Sequence, residues 1–211
     1  MKADGSILSL ALKRPASSAR QSTRDRILAH AADIASREGL EGLTIGRLAD
    51  DLSMSKSGLI AHFGNKEGLQ LAAIEFASEV FVREVVLHVL DARRGIERLN
   101  AMLDAWLRYV ERSVFSGGCF FMAASLEMDG RPGPVKKRLQ VATRWWFDAL
   151  ADEIRFAVRA RELPSNTDFT QLAFELHAFA QEANWGYQMF GDKKWFTRAR
   201  ASMAARLTNE K

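Results

Sequence analysis

The chain has 211 residues, enough for one or two domains and for a fold that buries roughly 70% of the surface its unfolded form exposes. Hydrophobic content of 47% and charged content of 27% belong to an ordinary globular protein, and no apolar run approaches the roughly 20 residues of a membrane span. The net charge is +4, from 30 basic and 26 acidic residues, and a single cysteine excludes an intrachain disulfide and fits a reducing, cytoplasmic setting.

Residues 1–24 carry Lys2, Lys13, Arg14, Arg20 and Arg24 against Asp4, five charges minus one. The remaining residues hold 25 basic and 25 acidic groups, so the whole formal excess lies at the start of the chain. Two readings of segment 1–21 stand side by side. One is a disordered basic arm that follows DNA phosphates or the minor groove, the other a solvated tail without a partner. The apolar stretch Ile7 to Leu12 is too short for the core of a signal peptide.

Beyond this segment nearly everything reads as helix. Thr23 to Glu38 places Ile27, Ala31 and Ile34 on one stripe and stops at Gly39, a residue suited to a helix end. Thr44 is an N-cap for a short helix whose Ile45, Leu48, Ala49 and Leu52 recur at helical spacing. Ser53-Met54 interrupts the pattern, and Ser55 caps a second short helix with Leu59, Ile60 and Phe63 as its apolar positions. Ser55, Lys56, Ser57 and His62 stay polar. Two short helices about a tight turn, the second buried on one side and polar on the other, form the unit that places a helix in the major groove of DNA.

Gly64-Asn65 breaks the pattern, and Lys66 opens a long helix with Leu69, Ala73, Phe76, Val80 and Leu87 expected inward. Gly95 precedes another with Ile96, Leu99, Leu103, Trp106 and Val110 on its apolar face. Gly117-Gly118 ends it and opens a compact apolar stretch, Cys119 to Leu126. Cys119 reads as a small buried hydrophobe in preference to a redox sensor, since no cation stands near it in sequence. Asp129 to Pro134 is the clearest loop, with two glycines and two prolines. A long helix of about Val135 to Ala160 turns Val135, Leu139, Ala142, Trp146, Leu150 and Ile154 to one side. After Leu163-Pro164, another of about Asp168 to Phe190 repeats Phe169, Leu172, Leu176, Ala180, Ala183 and Tyr187. Both carry further apolar residues off the stripe: Trp145, Phe147, Phe174, Phe179 and Trp185. A helix apolar on two faces must be covered on both, most economically by a second copy of the chain. A last amphipathic helix runs from Trp195 to Leu207. No strand and no internal repeat is evident, so the fold class is all-α.

The run TRDRILAHAADIASREGLEGLTIGRLADDLSMSKSGLIAHFGNKEGL resembles the DNA-binding domain of the tetracycline-repressor (TetR) family of transcriptional regulators. The later succession GGCFF, GRPGPV and two long helices is similar to the ligand-binding and dimerisation domain of one subset of that family. Beside the basic, disordered arm read from charge at 1–21, the resemblance implies a helix-turn-helix domain at 22–82 and a helical effector-binding and dimerisation domain at 83–211. It implies a homodimer whose recognition helices enter successive major grooves of a pseudo-palindromic operator, about 34–36 Å apart. The two long helices would form a four-helix bundle between subunits, with Trp145, Leu150, Leu172, Leu176, Ala180 and Ala183 at the interface.

Carried over residue by residue, the resemblance assigns DNA contacts to Thr44, Arg47, Ser55, Lys56, Ser57, Gly58, Ile60, His62 and Lys66. Lys66, His62 and Thr44 correspond to positions that meet phosphate, Arg47 projects toward the backbone, and Lys56 and Ser57 stand where a base edge or a phosphate is reached. The alternative for each is solvated helix surface or simple capping. Two departures from the family pattern bear on this. Ile60 replaces an aromatic, often Tyr, whose hydroxyl bonds phosphate, and leaves at most an apolar contact such as one to a thymine methyl. Gly58 stands where Thr or Ser is common, and a mid-helix glycine costs about 1 kcal/mol against alanine; close approach of the helix backbone to DNA would offset it. With Ala61 beside them, the helix has few long side chains, which shifts weight to shape readout and to the basic segment.

In the C-terminal half, Trp106, Tyr109, Phe120, Met122 and Trp146 are candidates to line an effector pocket, against the plainer reading of each as core. Few polar groups lie near them (Glu127, Arg144 and Asn184), which favours an apolar or weakly polar small molecule. The histidines at 30, 62, 88 and 177 show no metal-binding spacing, His177 reading as a hydrogen-bonded core residue, and no cofactor is expected. A phosphate-binding glycine loop, a nucleophile elbow and a histidine-carboxylate constellation are all missing from the sequence, which argues against an enzyme. The reading is a repressor released from DNA by its effector. An activator, or a helical ligand- or protein-binding dimer with a weakened DNA head, is the alternative.

Overall fold

The structure, a computed structural model, describes residues 22–208, so the basic segment 1–21 lies outside it. Among the described residues there are nine α-helices and no strand. They are α1 (Thr23–Glu38), α2 (Ile45–Leu52), α3 (Lys56–Phe63), α4 (Lys66–Phe81), α5 (Ile96–Glu111), α6 (Phe120–Met128), α7 (Pro134–Arg159), α8 (Phe169–Phe190) and α9 (Lys194–Thr208). None is long and apolar enough to cross a membrane.

The helix ends follow the capping chemistry of the sequence. Ser22, Thr44, Ser55 and Asp168 sit in extended conformation and accept main-chain amides of the first turns of α1, α2, α3 and α8. Pro134 is the first residue of α7, where its missing N–H costs nothing. The turn between α2 and α3 is made at Ser53, held in the left-handed region at φ 53°, with its amide donating to the carbonyls of Ala49 and Asp50.

The chain forms two compact units. The first, here the head unit, contains residues 22–81 and, with them, Phe115–Ala142. Its DNA-binding part is built on Ile27, Leu28, Ala31, Ile34, Leu43, Leu48, Leu59, Phe63, Leu69 and Ala73, all buried. Helix α6 packs on α1. The division expected from sequence was a DNA-binding domain over 22–82; the compact head unit runs to Phe81 and also takes in the 28-residue stretch 115–142.

The second unit contains residues 82–114 and 143–208. It begins with a π-helical turn, Val82–Val86, and a 3₁₀ turn, Leu87–Val89. The wider turn rotates the helix face, so Val85, Val86 and Val89 are buried and Leu87, expected inward, is 38% exposed. Helices α8 and α9 pack together, and α5 packs on α8. Glu153, the one buried carboxylate among the described residues of this unit, accepts from the Gly95 amide at 3.0 Å and from Arg94 Nε at 2.9 Å, which holds the start of α5.

Candidate nucleic-acid interface

The reading helix α3 is eight residues long, with Leu59 and Phe63 buried and the rest turned outward or partly covered. Ser55 Oγ accepts from the Gly58 amide at 3.1 Å, and Ser57 Oγ donates to Ser55 Oγ at 3.2 Å. A Cβ added at Gly58 would stand 3.1 Å from that same Ser55 Oγ. Gly58 therefore has a reason within the chain, room for the cap, beside the approach to DNA expected from sequence. Lys56, Ser57, Ile60, Ala61 and His62 are exposed, and Ile60 presents half of its surface to solvent.

The cations around this helix fall into two groups. Arg47, on α2, makes a two-pronged bond to Glu38, through Nη1 to Oε2 and through Nη2 to Oε1 at 2.7 Å, and its Nε lies 3.7 Å from Asp51. That hydrogen bond holds the Glu38 carboxyl below the usual carboxylate range and pushes Arg47 up. Lys66 Nζ donates to the Glu41 carbonyl at 3.0 Å and to its carboxylate at 2.9 Å, and lowers the Glu41 carboxyl in the same way. Two of the side chains expected to meet phosphate are thus already held by carboxylates of the α1–α2 connection. Lys56 has no carboxylate within ion-pair distance among the described residues, and its Nζ would lie 3.7 Å from a Cβ at Gly46 on α2. Arg24, not singled out in the sequence as a contact, lies over the Phe63 ring at 5.4 Å and is exposed. A pairing across nearly forty residues leaves no periodic trace, so nothing in the sequence exposes it.

The α1–α2 connection is tied to α6. The Glu127 carboxylate accepts the Leu40 amide through Oε2 and the Glu41 amide through Oε1 at 3.0 Å. Gly39 makes room for it, since a Cβ there would fall 2.4 Å from Oε2, and its φ of +77° suits glycine besides. A second tie joins α1 to the turn before α6: Asp33 accepts from the Ser116 amide and hydroxyl at 2.8 Å each, and the Gly117 amide donates to Ser36 Oγ at 3.0 Å. A Cβ on Gly117 would overlap the Ser36 carbonyl oxygen at 2.2 Å. Glu127 read in the sequence as a polar residue near an effector pocket; it is instead a cap on the DNA-binding head.

The five pocket candidates separate. Trp106, Tyr109 and Trp146 lie in the second unit, buried, with the two indoles edge to face at 5.6 Å. Phe120 and Met122 belong to the head unit, where Phe120 packs against Phe115 and Phe121.

Of the residues expected at the interface, Leu150, Leu172, Leu176, Ala180 and Ala183 are wholly or almost wholly buried in the second unit of a single chain, and Trp145 is partly covered. The five buried residues present almost no surface to a partner, because the stripe they form packs on the core of its own chain, and Trp145 alone of the six keeps part of its surface. What α8 leaves exposed is Phe174 at 58%, Trp185 at 45%, Met189 and Phe190, together with Phe169 at its start, which was expected inward.

Residues 27–73 match the bacterial regulatory proteins of the tetR family, and residues 95–203 match a tetracyclin repressor-like C-terminal domain. The chain belongs to the TetR family of transcriptional regulators and carries its helix-turn-helix DNA-binding domain. Among curated proteins it is similar to the nucleoid occlusion factor SlmA of Serratia proteamaculans, 26% identical over 172 residues that span 77% of this chain and 81% of that one. Among solved structures it is similar to a TetR transcriptional regulator from Chloroflexus aurantiacus, with a TM-score of 0.82 and 23% identity over 89% of this chain and 95% of the other. AibR, solved in complex with isovaleryl coenzyme A and operator DNA, shares the fold at a TM-score of 0.66 and 23% identity, over 79% of this chain and 86% of its own.

Proposed function

We propose that the chain is a homodimeric, cytoplasmic repressor that leaves its operator when a small apolar or weakly polar effector binds its C-terminal half. The observation that carries the reading is the pair of ties within the head unit. A helix-turn-helix head that is capped by Glu127 of α6 and clasped by Ser116-Gly117 cannot move without the 115–142 stretch. Whatever repositions that stretch repositions the head. In the dimer this changes the spacing of two recognition helices, and only one spacing fits successive major grooves. AibR, with an acyl-coenzyme A and operator DNA on the same fold, gives a precedent for two ligands on one such chain.

Within this reading Lys56 and Arg24 meet DNA directly, and Ser55, Ser57, Gly58, Ile60 and His62 form the surface that faces the groove. Thr44 holds α2 by its cap, its hydroxyl accepting from the Arg47 amide at 3.2 Å. Arg47 and Lys66 reach phosphate by exchanging a carboxylate for it. The exposed face of α8, Phe174, Trp185, Met189 and Phe190, meets its counterpart across the dimer.

The experiment is a titration of the purified protein with promoter DNA of its own gene across a range of salt. A regulator binds that DNA in preference to random sequence, with affinity falling steeply as salt rises. Weak binding that ignores sequence supports the second reading, a ligand- or protein-binding dimer with a weakened head, which the short side chains at Gly58, Ile60 and Ala61 favour. A transcription assay on the same promoter separates repression from activation.

A further inference from the structure

We propose that the second unit binds a small, uncharged, largely apolar ligand through an oxygen acceptor on that ligand, held by the ring N–H groups of Trp106 and His177. The proposal names the ligand class for the effector half and rests on the reading above only for the consequence at DNA.

Trp106 on α5 and His177 on α8 lie with their rings stacked, centroids 5.0 Å apart and planes 18° from parallel. Phe147 closes on the imidazole at 4.2 Å, and Trp146 stands edge-on to Trp106 at 5.6 Å. The four rings belong to one unit and form one aromatic cluster. Trp106 is only 3% exposed. Its Nε1 and the Nδ1 of His177 are both buried and both without a hydrogen-bond partner.

Two such atoms on a pair of stacked rings need a reason. A buried donor left unmade costs about 1–3 kcal/mol, and natural cores satisfy the great majority of them. A core that required only volume here would be served by Phe at both positions. The second imidazole nitrogen is engaged: Gln181 Nε2 lies 2.9 Å from His177 Nε2 and donates to it. That leaves the proton on Nδ1 and makes both unpartnered atoms donors. Burial pushes the imidazole down to about 4, so it is neutral at physiological pH. The site therefore offers two N–H dipoles and no full charge. An anion would enter without a counter-charge and a cation would face donors, so both are poor ligands. A ketone, ester, amide or phenol oxygen on an apolar frame suits the donors and the aromatic walls alike.

The test uses the whole protein and two matched pairs of probes, acetophenone against ethylbenzene and cyclohexanone against methylcyclohexane, followed by calorimetry and thermal stabilisation. The carbonyl compound should bind about tenfold more tightly than its hydrocarbon in at least one pair, the equivalent of about 1.4 kcal/mol. Trp106→Phe should erase the preference while leaving hydrocarbon binding in place, and His177→Phe should do the same. His177→Gln, which keeps a donor, should restore part of it. No preference in either pair, or a preference that survives both phenylalanine variants, overturns the site and marks the two rings as core satisfied by water. Retention of operator DNA is followed in the same samples. Carbonyl preference without any release of DNA sustains the site and removes its effector role. Release of DNA by other compounds, with no carbonyl preference, overturns the site and leaves the effector reading intact.

Discussion

Glu127→Ala tests the tie between α6 and the DNA-binding head. The carboxylate accepts two main-chain amides, that of Leu40 in a partly buried setting and that of Glu41 in an exposed one. A hydrogen bond to a charged group contributes about 1.5–3 kcal/mol net, and the exposed bond belongs at or below the lower end because water replaces it readily. The pair together is then worth roughly 2–4 kcal/mol, and for a chain of this size each kcal/mol moves the melting temperature by about 2–4 °C. Glu127→Gln should fall between, since its amide keeps one acceptor while its NH₂ confronts the second N–H. Gly39→Ala attacks the same contact from the other side, by placing a Cβ 2.4 Å from Oε2 at a φ that already disfavours it. Urea unfolding should show a lower midpoint with an unchanged slope in all three. The factor by which effector weakens DNA binding should also shrink toward one, because the head has lost a handle. An alanine variant within about 0.5 kcal/mol of wild type, with coupling intact, would refute the reasoning.

Other consequences are as direct. Phe174→Glu combined with Trp185→Glu should give a folded monomer by sedimentation, whereas Leu176→Ala should cost about 2–5 kcal/mol of stability and leave the dimer assembled; the reverse pattern would restore the interface read from the sequence. Gly58→Ala gains about 1 kcal/mol of helix propensity and loses part of a cap of similar worth, so stability should hardly change while operator affinity falls; affinity equal to wild type with a more stable head would end the case for close approach at Gly58. Glu41→Gln frees Lys66, so DNA should bind several-fold more tightly at low salt, and Lys66→Ala should cancel that gain; weaker binding would show that Glu41 positions the lysine. His177 is depressed from 6.5 to about 4, so the unfolded chain takes up a proton that the folded chain refuses between those values. Stability should therefore fall as pH drops from about 6.5 to about 4, by about 3 kcal/mol over the whole window at 1.36 kcal/mol per unit. A pH–stability profile of His177→Phe that keeps the full slope would assign it elsewhere.

The head was almost wholly legible because its signals are local. Ser22, Thr44, Ser55, Asn65 and Gly39 each mark a helix end by chemistry within four residues, and the apolar spacing between them fixes which side is buried. Leu87 failed for a reason periodicity cannot carry, since one π-helical turn shifts every position after it. The long helices failed in a different way. Apolar stripes on two faces of α8 tell that two surfaces are covered, but not which is covered by the chain itself. That depends on α5 and α9, whose placement is a long-range fact. The pairs Glu38–Arg47, Glu41–Lys66 and Asp33–Ser116 were invisible too. Each residue looks like ordinary solvated charge or hydroxyl until the fold brings its partner within 3 Å.

These pairs alter the meaning of the short side chains on α3. Gly58, Ile60 and Ala61 remove long polar reach from the groove side, while Glu38 and Glu41 occupy two cations that flank it. Under the proposed function each of those cations must trade a carboxylate for a phosphate. The trade returns less than the engagement of a free lysine, because an existing charge-assisted bond is lost as the new one forms. The open cations, Lys56 and Arg24, then carry a larger share of the direct contact, Lys56 as the first residue of α3 and Arg24 over its last. Segment 1–21 leads directly into Ser22, the cap of the helix that bears Arg24, and holds four basic residues against the single Asp4. A head with few base-reading side chains and half of its cations in internal pairs has little non-specific affinity of its own. Such a head discriminates by fit: only DNA whose groove geometry seats α3 closely, and seats both copies of it at once, repays the carboxylates it displaces.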